Sequence, residues 1–283
     1  MHVITSSRLL SELLFSARKS GSSVGLVPTM GALHRGHKCL IEESLKGNDI
    51  TVVSLFVNPL QFNKAEDLEN YPRPFEQDRV MVAELGVDVL YAPSEKEMYP
   101  EKPLVNISFG DLANTMEGKF RPGHFDGVGL VVSKLLNQIN PDRAYFGLKD
   151  LQQFLLVKRL VRDLSIQVDI IGVPIVRAES GLALSSRNVR LSPEGLEKAA
   201  NIFQGLNLSE ELLREGIDFD ETKLRVIAFY NKVEDLQIEY LEFVDPDNLQ
   251  DLKGNWSGQA LAICVAAYVE GVRLIDNLYL RQD

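Results

Sequence analysis

Strand-like and helix-like runs alternate along most of this chain. Residues 6–19 place Leu9, Leu10, Leu13 and Leu14 at helical spacing, and VGLVP at 24–28 follows as a short run suited to a buried strand. Leu40, Ile41 and Leu45 continue a further helix. ITVVSLFVNP at 50–59 is an almost unbroken β-branched run ending at Asn-Pro, the pattern of a strand covered on both faces. Residues 75–85 read as helix, VDVLYAP at 87–93 as extended, and 127–139 as helix with Val128, Val131, Val132, Leu135 and Ile139 on one side. RAYFG at 143–147, a helix over 150–163, and QVDIIGVPIV at 167–176 complete the alternation.

Repeated strand–helix units with short connections predict an α/β fold, a doubly wound parallel sheet between two layers of helices, because parallel strands need crossover connections. Ligands of such sheets bind at the carboxyl ends of the strands, where the strand order reverses. After about residue 177 the texture changes. Residues 192–216 and 220–233 are amphipathic and helical, and QIEYLEFVDP and GQALAICVAAYVEGVRLIDN predict a few antiparallel strands. The expected organisation is therefore a first domain over 1–176 and a smaller C-terminal α+β domain over 177–283.

Composition narrows the class. The chain has 283 residues, 45% hydrophobic and 25% charged, enough to bury a sizeable core. A formal net charge of −10 argues against a nucleic-acid-coating surface, so any phosphate site must be built locally. Cys39 and Cys264 stand far apart with no metal-ligand spacing, which fits a reducing cytoplasm. No stretch reaches the ~20 apolar residues that cross a bilayer, and the start carries no apolar leader, so neither a membrane partner nor a targeting segment is expected.

Two of the four histidines lie in PTMGALHRGHKCLI, residues 28–41. Gly31 and Gly36 have the spacing of a P-loop, but His37 and Lys38 follow where Lys and Ser/Thr would be required, and that reading fails. What remains is His34-Arg35-Gly36-His37 at a strand-to-helix junction. A helix starting near Gly36 lets both imidazoles converge on an anion above its N-terminus, where free N–H groups already favour negative charge. Gly36, lacking a side chain, would let a ligand approach the backbone. The same residues also fit an ordinary helix start with two surface histidines. In GLALSSRNVRLS at 181–192, Ser185, Ser186 and Arg187 are suited to a phosphate chain, with the guanidinium opposite the leaving charge; a capped loop before the next helix is the plainer reading.

Together the two stretches resemble the His-x-Gly-His motif and the Lys-Met-Ser-Lys-Ser loop of the nucleotidylyltransferase superfamily, with Arg187 standing in place of the loop's second lysine. LVPTMGALHRGH, SLFVNPLQF, YPR, RPGHFDGV, AYFGLKDLQQ, VPIVRA and GLALSSRN, in this order, are similar to the pantothenate synthetase (pantoate–β-alanine ligase) family over at least 24–190, and more weakly to RLIDN near the C-terminus. The resemblance implies a Rossmann-like fold of the HIGH type with a C-terminal lid. It implies ATP-dependent condensation of pantoate with β-alanine through pantoyl adenylate, with AMP and pyrophosphate released.

It further implies ATP binding by Met30, Gly31, Ala32, Leu33, His34, Arg35, Gly36 and His37, with His37 the residue usually assigned as general acid and His34 on the phosphates. Gly147, Leu148, Lys149 and Asp150 would form a second ATP contact with Lys149 aimed at phosphate. Val176 would present its backbone to the adenine, and Leu184, Ser185, Ser186 and Arg187 would close on the phosphates. Gln61 would hold pantoate and β-alanine, and Gln153 pantoate. Mg²⁺ would bridge phosphate oxygens without a protein cage, Asp78 and Asp150 being candidates to act behind it. The family commonly forms homodimers. Asp126 and Leu130 depart from the residues frequent in relatives. The alternative is another nucleotidylyltransferase acting on a phosphorylated acceptor, or a nucleotide-binding regulatory module.

Overall fold

The computed structural model describes residues 1–280. The chain divides into two compact units, one of residues 1–148 with 153–174, the other of 149–152 with 175 onward.

In the first unit the apolar runs become six strands: β1 (His2–Ile4), β2 (Val24–Thr29), β3 (Ile50–Leu55), β4 (Val89–Tyr91), β5 (Arg143–Gly147) and β6 (Asp169–Val173). They pair in the order β1-β4-β3-β2-β5-β6, every pair parallel. The order runs outward from β2 through β3 and β4 on one side and through β5 and β6 on the other. The switch point therefore lies between β2 and β5, and the carboxyl end of β2 opens into residues 30–37.

Both faces of the sheet are covered, which is why its strands read as continuous apolar runs and not as alternation. One face buries Leu26, Val52 and Val89 against the helix Ser7–Lys19 and the helix His124–Ile139. The other buries Val27, Val53 and Leu90 against Leu40 and Ile41 of the helix Arg35–Gly47 and Val82 of the helix Phe75–Glu84. The far end of Arg35–Gly47 is tied down as well: Arg143 Nη1 donates to Gly47 O at 2.6 Å, and Asn48 Nδ2 donates to Tyr145 Oη at 2.8 Å.

The strand expected over 50–59 ends at Leu55. Asn58 caps a short 3₁₀ turn, Pro59–Gln61, whose proline starts the turn without an N–H to leave unsatisfied. The run expected over 167–176 gives only Asp169–Val173, stopping before Pro174, which cannot donate to a ladder. Strand β1 escapes sequence reading because two of its three residues are exposed and it pairs only with β4.

The second unit packs the helices Pro193–Arg214 and Phe219–Tyr230 on an antiparallel sheet of β7 (Leu236–Val244), β8 (Leu261–Val269) and β9 (Val272–Leu280). Glu270 and Gly271, both at positive φ, make the two-residue β8–β9 turn. Tyr230 is fully buried and donates to Ile202 O at 2.8 Å, and burial raises its phenol pKa. Its ring fills the space beside Gly205, where a Cβ would lie 2.2 Å from Tyr230 Cζ.

Alanine at a helix-interior glycine ordinarily stabilises by roughly 1 kcal/mol. Gly205→Ala is expected to do the reverse, lowering stability by about 1–3 kcal/mol through overpacking against Tyr230. Urea denaturation checks the sign, and an increase would mean that the ring yields freely.

Candidate active site

Where β2 ends, the backbone must turn sharply. Gly31 and Ala32 both adopt positive φ, 82° and 50°, and the turn is held from beneath by Asp78. This carboxylate, 3% exposed on the helix Phe75–Glu84, accepts from Ala32 N through Oδ2 and from Leu33 N through Oδ1, both at 2.8 Å. Gly31 N donates to Thr29 Oγ1, whose hydroxyl donates to Ser54 O on β3. A Cβ on Gly31 would lie 2.9 Å from Asp78 Oδ2, so the approach of the clamp adds to the demand for glycine there. Of the two acids considered as partners of a metal, Asp78 has both oxygens committed to this loop.

The loop delivers His34 to the N-cap of Arg35–Gly47 in extended conformation. Two reciprocal bonds follow: Gly36 N donates to His34 Nδ1 at 3.1 Å, and His34 N donates to His37 Nδ1 at 3.3 Å. The rings lie 4.1 Å apart between centroids. A backbone N–H only donates, so both Nδ1 atoms are acceptors and both imidazoles are neutral with their proton on Nε2. The pair thus presents two N–H donors from a helix N-terminus, a preorganised anion-binding group. Gly36 has a structural reason to be glycine beside the ligand access expected from sequence. A Cβ there would lie 2.8 Å from His34 Cε1, so the capping ring itself requires glycine.

Gln61 is buried at the end of the 3₁₀ turn, and its surroundings fix which way its amide points. Tyr99, whose phenol burial pushes up to about 12, donates to Asn58 Oδ1 at 2.9 Å. Asn58 Nδ2 must then face outward from that bond, and it donates to Gly127 O at 3.0 Å and to Gln61 Oε1 at 3.2 Å. Gln61 Nε2 points to Met30 Sδ at 3.0 Å, bringing together two residues expected at the site.

The backbone of the same turn is gripped by the RPGHFDGV stretch. Gln61 O accepts from His124 Nδ1 at 2.8 Å, so His124 carries its proton on Nδ1 and accepts from Arg121 Nη1 on Nε2. A Cβ on Gly127 would lie 2.3 Å from Leu60 O, so glycine is what admits this close packing. Asp126 is exposed in the first turn of that helix, where a carboxylate suits the dipole, and Leu130 is half-buried. A cavity of about 320 Å³ opens at the carboxyl ends of β2 and β3, lined by Met30, Gly31, Phe56, Arg73, Asp78 and Glu95 among others.

Gly147 ends β5 at the switch point, and Leu148 follows it in the first unit with Gln153, which is half-buried one turn into its helix. The remaining expected residues belong to the second unit. Lys149 keeps its side chain only 16% exposed, with Asp150 Oδ2 at 3.7 Å. A lysine so covered is unlike the solvated surface lysine that is the default for its type.

Val176 O accepts from Leu184 N at 2.9 Å, closing a small hairpin that leads into the hydroxyl loop. Ser185 caps the 3₁₀ turn Ser186–Arg190 by accepting from Arg187 N at 3.3 Å, and Ser192 caps the next helix through Gly195 N. The plainer reading of that loop, a capped turn, is thus present in the structure, and it fixes where the hydroxyls and Arg187 emerge.

A profile of the Pantoate-beta-alanine ligase family matches residues 2–279. The chain belongs to that family. It is 45% identical to pantothenate synthetase of Cytophaga hutchinsonii, covering 98% of each chain, and 45% identical to that of Acinetobacter baylyi, covering 96% of each. The crystal structure of pantothenate synthetase from Thermus thermophilus matches with a TM-score of 0.91 at 43% identity, over 98% of this chain and 99% of that one. Pantoate-beta-alanine ligase from Francisella tularensis, crystallised with beta-gamma ATP and beta-alanine, matches at 0.80 with 39% identity, over 98% and 97%. The fold is accordingly the Rossmann-like one of pantoate–β-alanine ligases, and the chain is a ligase.

Sequence reading missed the supports of this candidate site: Asn58, Tyr99, His124 and Gly127. The first, third and fourth lie inside quoted family motifs, but only burial and direction reveal that they orient Gln61. Asp78→Asn tests the clamp under β2. An amide there sets a donor against a backbone donor, and turnover with ATP is expected to fall about 100-fold through misplacement of the loop. Steady-state AMP release is the measurement, and a parental rate would show that the loop holds its shape unaided.

Proposed function

We propose that this chain condenses (R)-pantoate with β-alanine at the expense of ATP, in two steps. A pantoate carboxylate oxygen attacks the α-phosphorus, the bond to the β-phosphate oxygen breaks, and pyrophosphate leaves. The β-alanine amine then attacks the acyl carbon of pantoyl adenylate, loses a proton, and AMP departs. The observation that carries this reading is the reciprocal capping of His34 and His37, which fixes two Nε2–H donors at the helix N-terminus beside the switch point.

Charge gathers on the phosphates in the first step, and it needs donors in place beforehand, not a protein nucleophile. In the neutral form set by the capping bonds, His34 and His37 donate hydrogen bonds and keep their protons; an imidazolium at His37 would forfeit its bond from His34 N. Met30 through His37 receive ATP, with Gly147, Leu148, Lys149 and Asp150 as a second contact, Lys149 and Arg187 supplying positive charge. Val176 faces the adenine, and Leu184, Ser185 and Ser186 serve the phosphates with Arg187. Gln61, its amide direction set by Asn58, takes a pantoate hydroxyl and holds β-alanine, and Gln153 takes pantoate.

The domain over 1–176 carries ATP and pantoate, and that over 177–283 serves as the lid, protecting an acyl adenylate from hydrolysis. Among the described residues no three His, Cys, Asp or Glu side chains gather as a metal cage. Mg²⁺ would enter with ATP and offset the charge of its phosphates, in keeping with its preference for phosphates and retained waters. Among the same residues no helix is long and apolar enough to cross a membrane. A cytoplasmic homodimer is the assembly and location that the family resemblance supports.

With ATP, Mg²⁺ and pantoate, labelled pyrophosphate is expected to exchange into ATP without β-alanine. His37→Ala is expected to slow that exchange roughly 10²–10³-fold, the usual effect of removing one preorganised donor, while leaving the fold intact by circular dichroism. Exchange with no acid present, or with a phosphorylated acceptor in its place, would overturn the ligase reading.

A further inference from the structure

The RLIDN stretch near the C-terminus has no part in the chemistry above, yet it contains two of the most thoroughly buried polar side chains of the second unit. Asp276 is 4% exposed and Asn277 5%, neighbours on β9 opposite Val265 and Cys264 of β8. Adjacent residues of a strand point to opposite faces, so one position can serve each side of the sheet.

Asp276 takes Arg177 as a two-pronged partner, Nη1 on Oδ2 at 2.5 Å and Nη2 on Oδ1 at 2.9 Å. The same guanidinium donates to Gly181 O at 3.0 Å and to Asn277 O at 3.2 Å, and it lies 3.8 Å over the ring of Phe203. Gly181, at φ 88°, packs against that ring so closely that a Cβ would lie 2.5 Å from Phe203 Cδ1. Arg177 and Gly181 are the base and the tip of the hairpin in which Ala178 pairs with Leu182 and Val176 with Leu184. The next residues are Ser185, Ser186 and Arg187. On its other side, Asn277 Nδ2 donates to Lys149 O at 2.9 Å.

We propose that Asp276 and Asn277 are positioning residues that set two phosphate-binding segments from one strand, Asp276 holding the Ser185–Arg187 loop through Arg177 and Asn277 holding the backbone of Lys149. This rests on the reading of Lys149 and Arg187 as phosphate ligands. The planar fork of Arg177 against a carboxylate fixes direction as well as distance, which a lysine could not do. Asn277 contributes a neutral donor to a carbonyl, so its removal tests geometry without stranding a charge.

Pyrophosphate exchange in Asn277→Ala, Asp276→Asn and Arg187→Ala tests the assignment. Asn277→Ala and Asp276→Asn are each expected to slow exchange about tenfold at saturating pantoate and to raise KM for ATP, with KM for pantoate changed less than about twofold. Added to Arg187→Ala, Asp276→Asn is expected to cost less than about twofold more, because both act through one loop. Parental exchange in Asn277→Ala and Asp276→Asn overturns the proposal, as does an equal rise in both KM values, which marks a general loosening. Should Asp276→Asn fail to fold, Asn277→Ala decides alone. Parental exchange in Arg187→Ala would instead overturn the phosphate reading beneath it.

Discussion

The site depends on how the central strand ends. A parallel strand at the switch point delivers its chain into a turn whose backbone N–H groups have no ladder partner, and a buried donor without an acceptor costs roughly 1–3 kcal/mol. Asp78 answers two of them and Thr29 a third. With the turn fixed at Gly31 and Ala32, His34 arrives in extended conformation at the N-cap, and the reciprocal bonds to Gly36 and from His34 N to His37 follow from that arrival. The helix beyond is anchored at its other end through Gly47 and Asn48, so the imidazole pair stands on an element restrained at both ends.

The residues proposed to carry chemistry stood out in the sequence because their types are unusual in their places: two histidines around a glycine after an apolar run, or two hydroxyls and an arginine after another. The sheet was legible for a similar reason, since strands buried on both faces leave uninterrupted β-branched runs. What sequence could not reveal is direction. Asn58 reads as a turn residue before proline, which it is, but only the Tyr99 phenol on its Oδ1 turns its amide toward Gln61. Gly127 reads as one more glycine in a helix, and its need appears only when Leu60 O is placed where a Cβ would be. Gly36 is similar: its tightness becomes visible only when the His34 ring is placed where a Cβ would be.

Four of the supporting residues share a physical character. Asn58, Asp78, His124 and Asp276 are all nine-tenths or more buried, and each is committed to backbone, amide or guanidinium partners. Residues in that condition have little freedom to move, which suits them to hold others within the fraction of an ångström that phosphoryl transfer demands. His34, His37, Gln153 and Arg187, proposed to meet ligands, are half-buried, whereas Gln61, proposed for the same purpose, is buried like its supports.

Electrostatics gives the arrangement its last constraint. A chain with a net charge of −10 must receive a triphosphate, and a buried carboxylate stands beneath the loop proposed to bind it. Bare, Asp78 would repel the nucleotide. Its two oxygens instead face the N–H dipoles of Ala32 and Leu33, which absorb much of its field locally, while the helix Arg35–Gly47 turns its positive end toward the imidazoles. Neutral donors then suit the site better than cations packed together. Two imidazoles bearing protons on Nε2 bind an anion without repelling one another at a centroid separation of 4.1 Å, as two imidazolium ions would. The tautomer imposed by the capping bonds is therefore what allows the histidines to stand side by side as neutral donors.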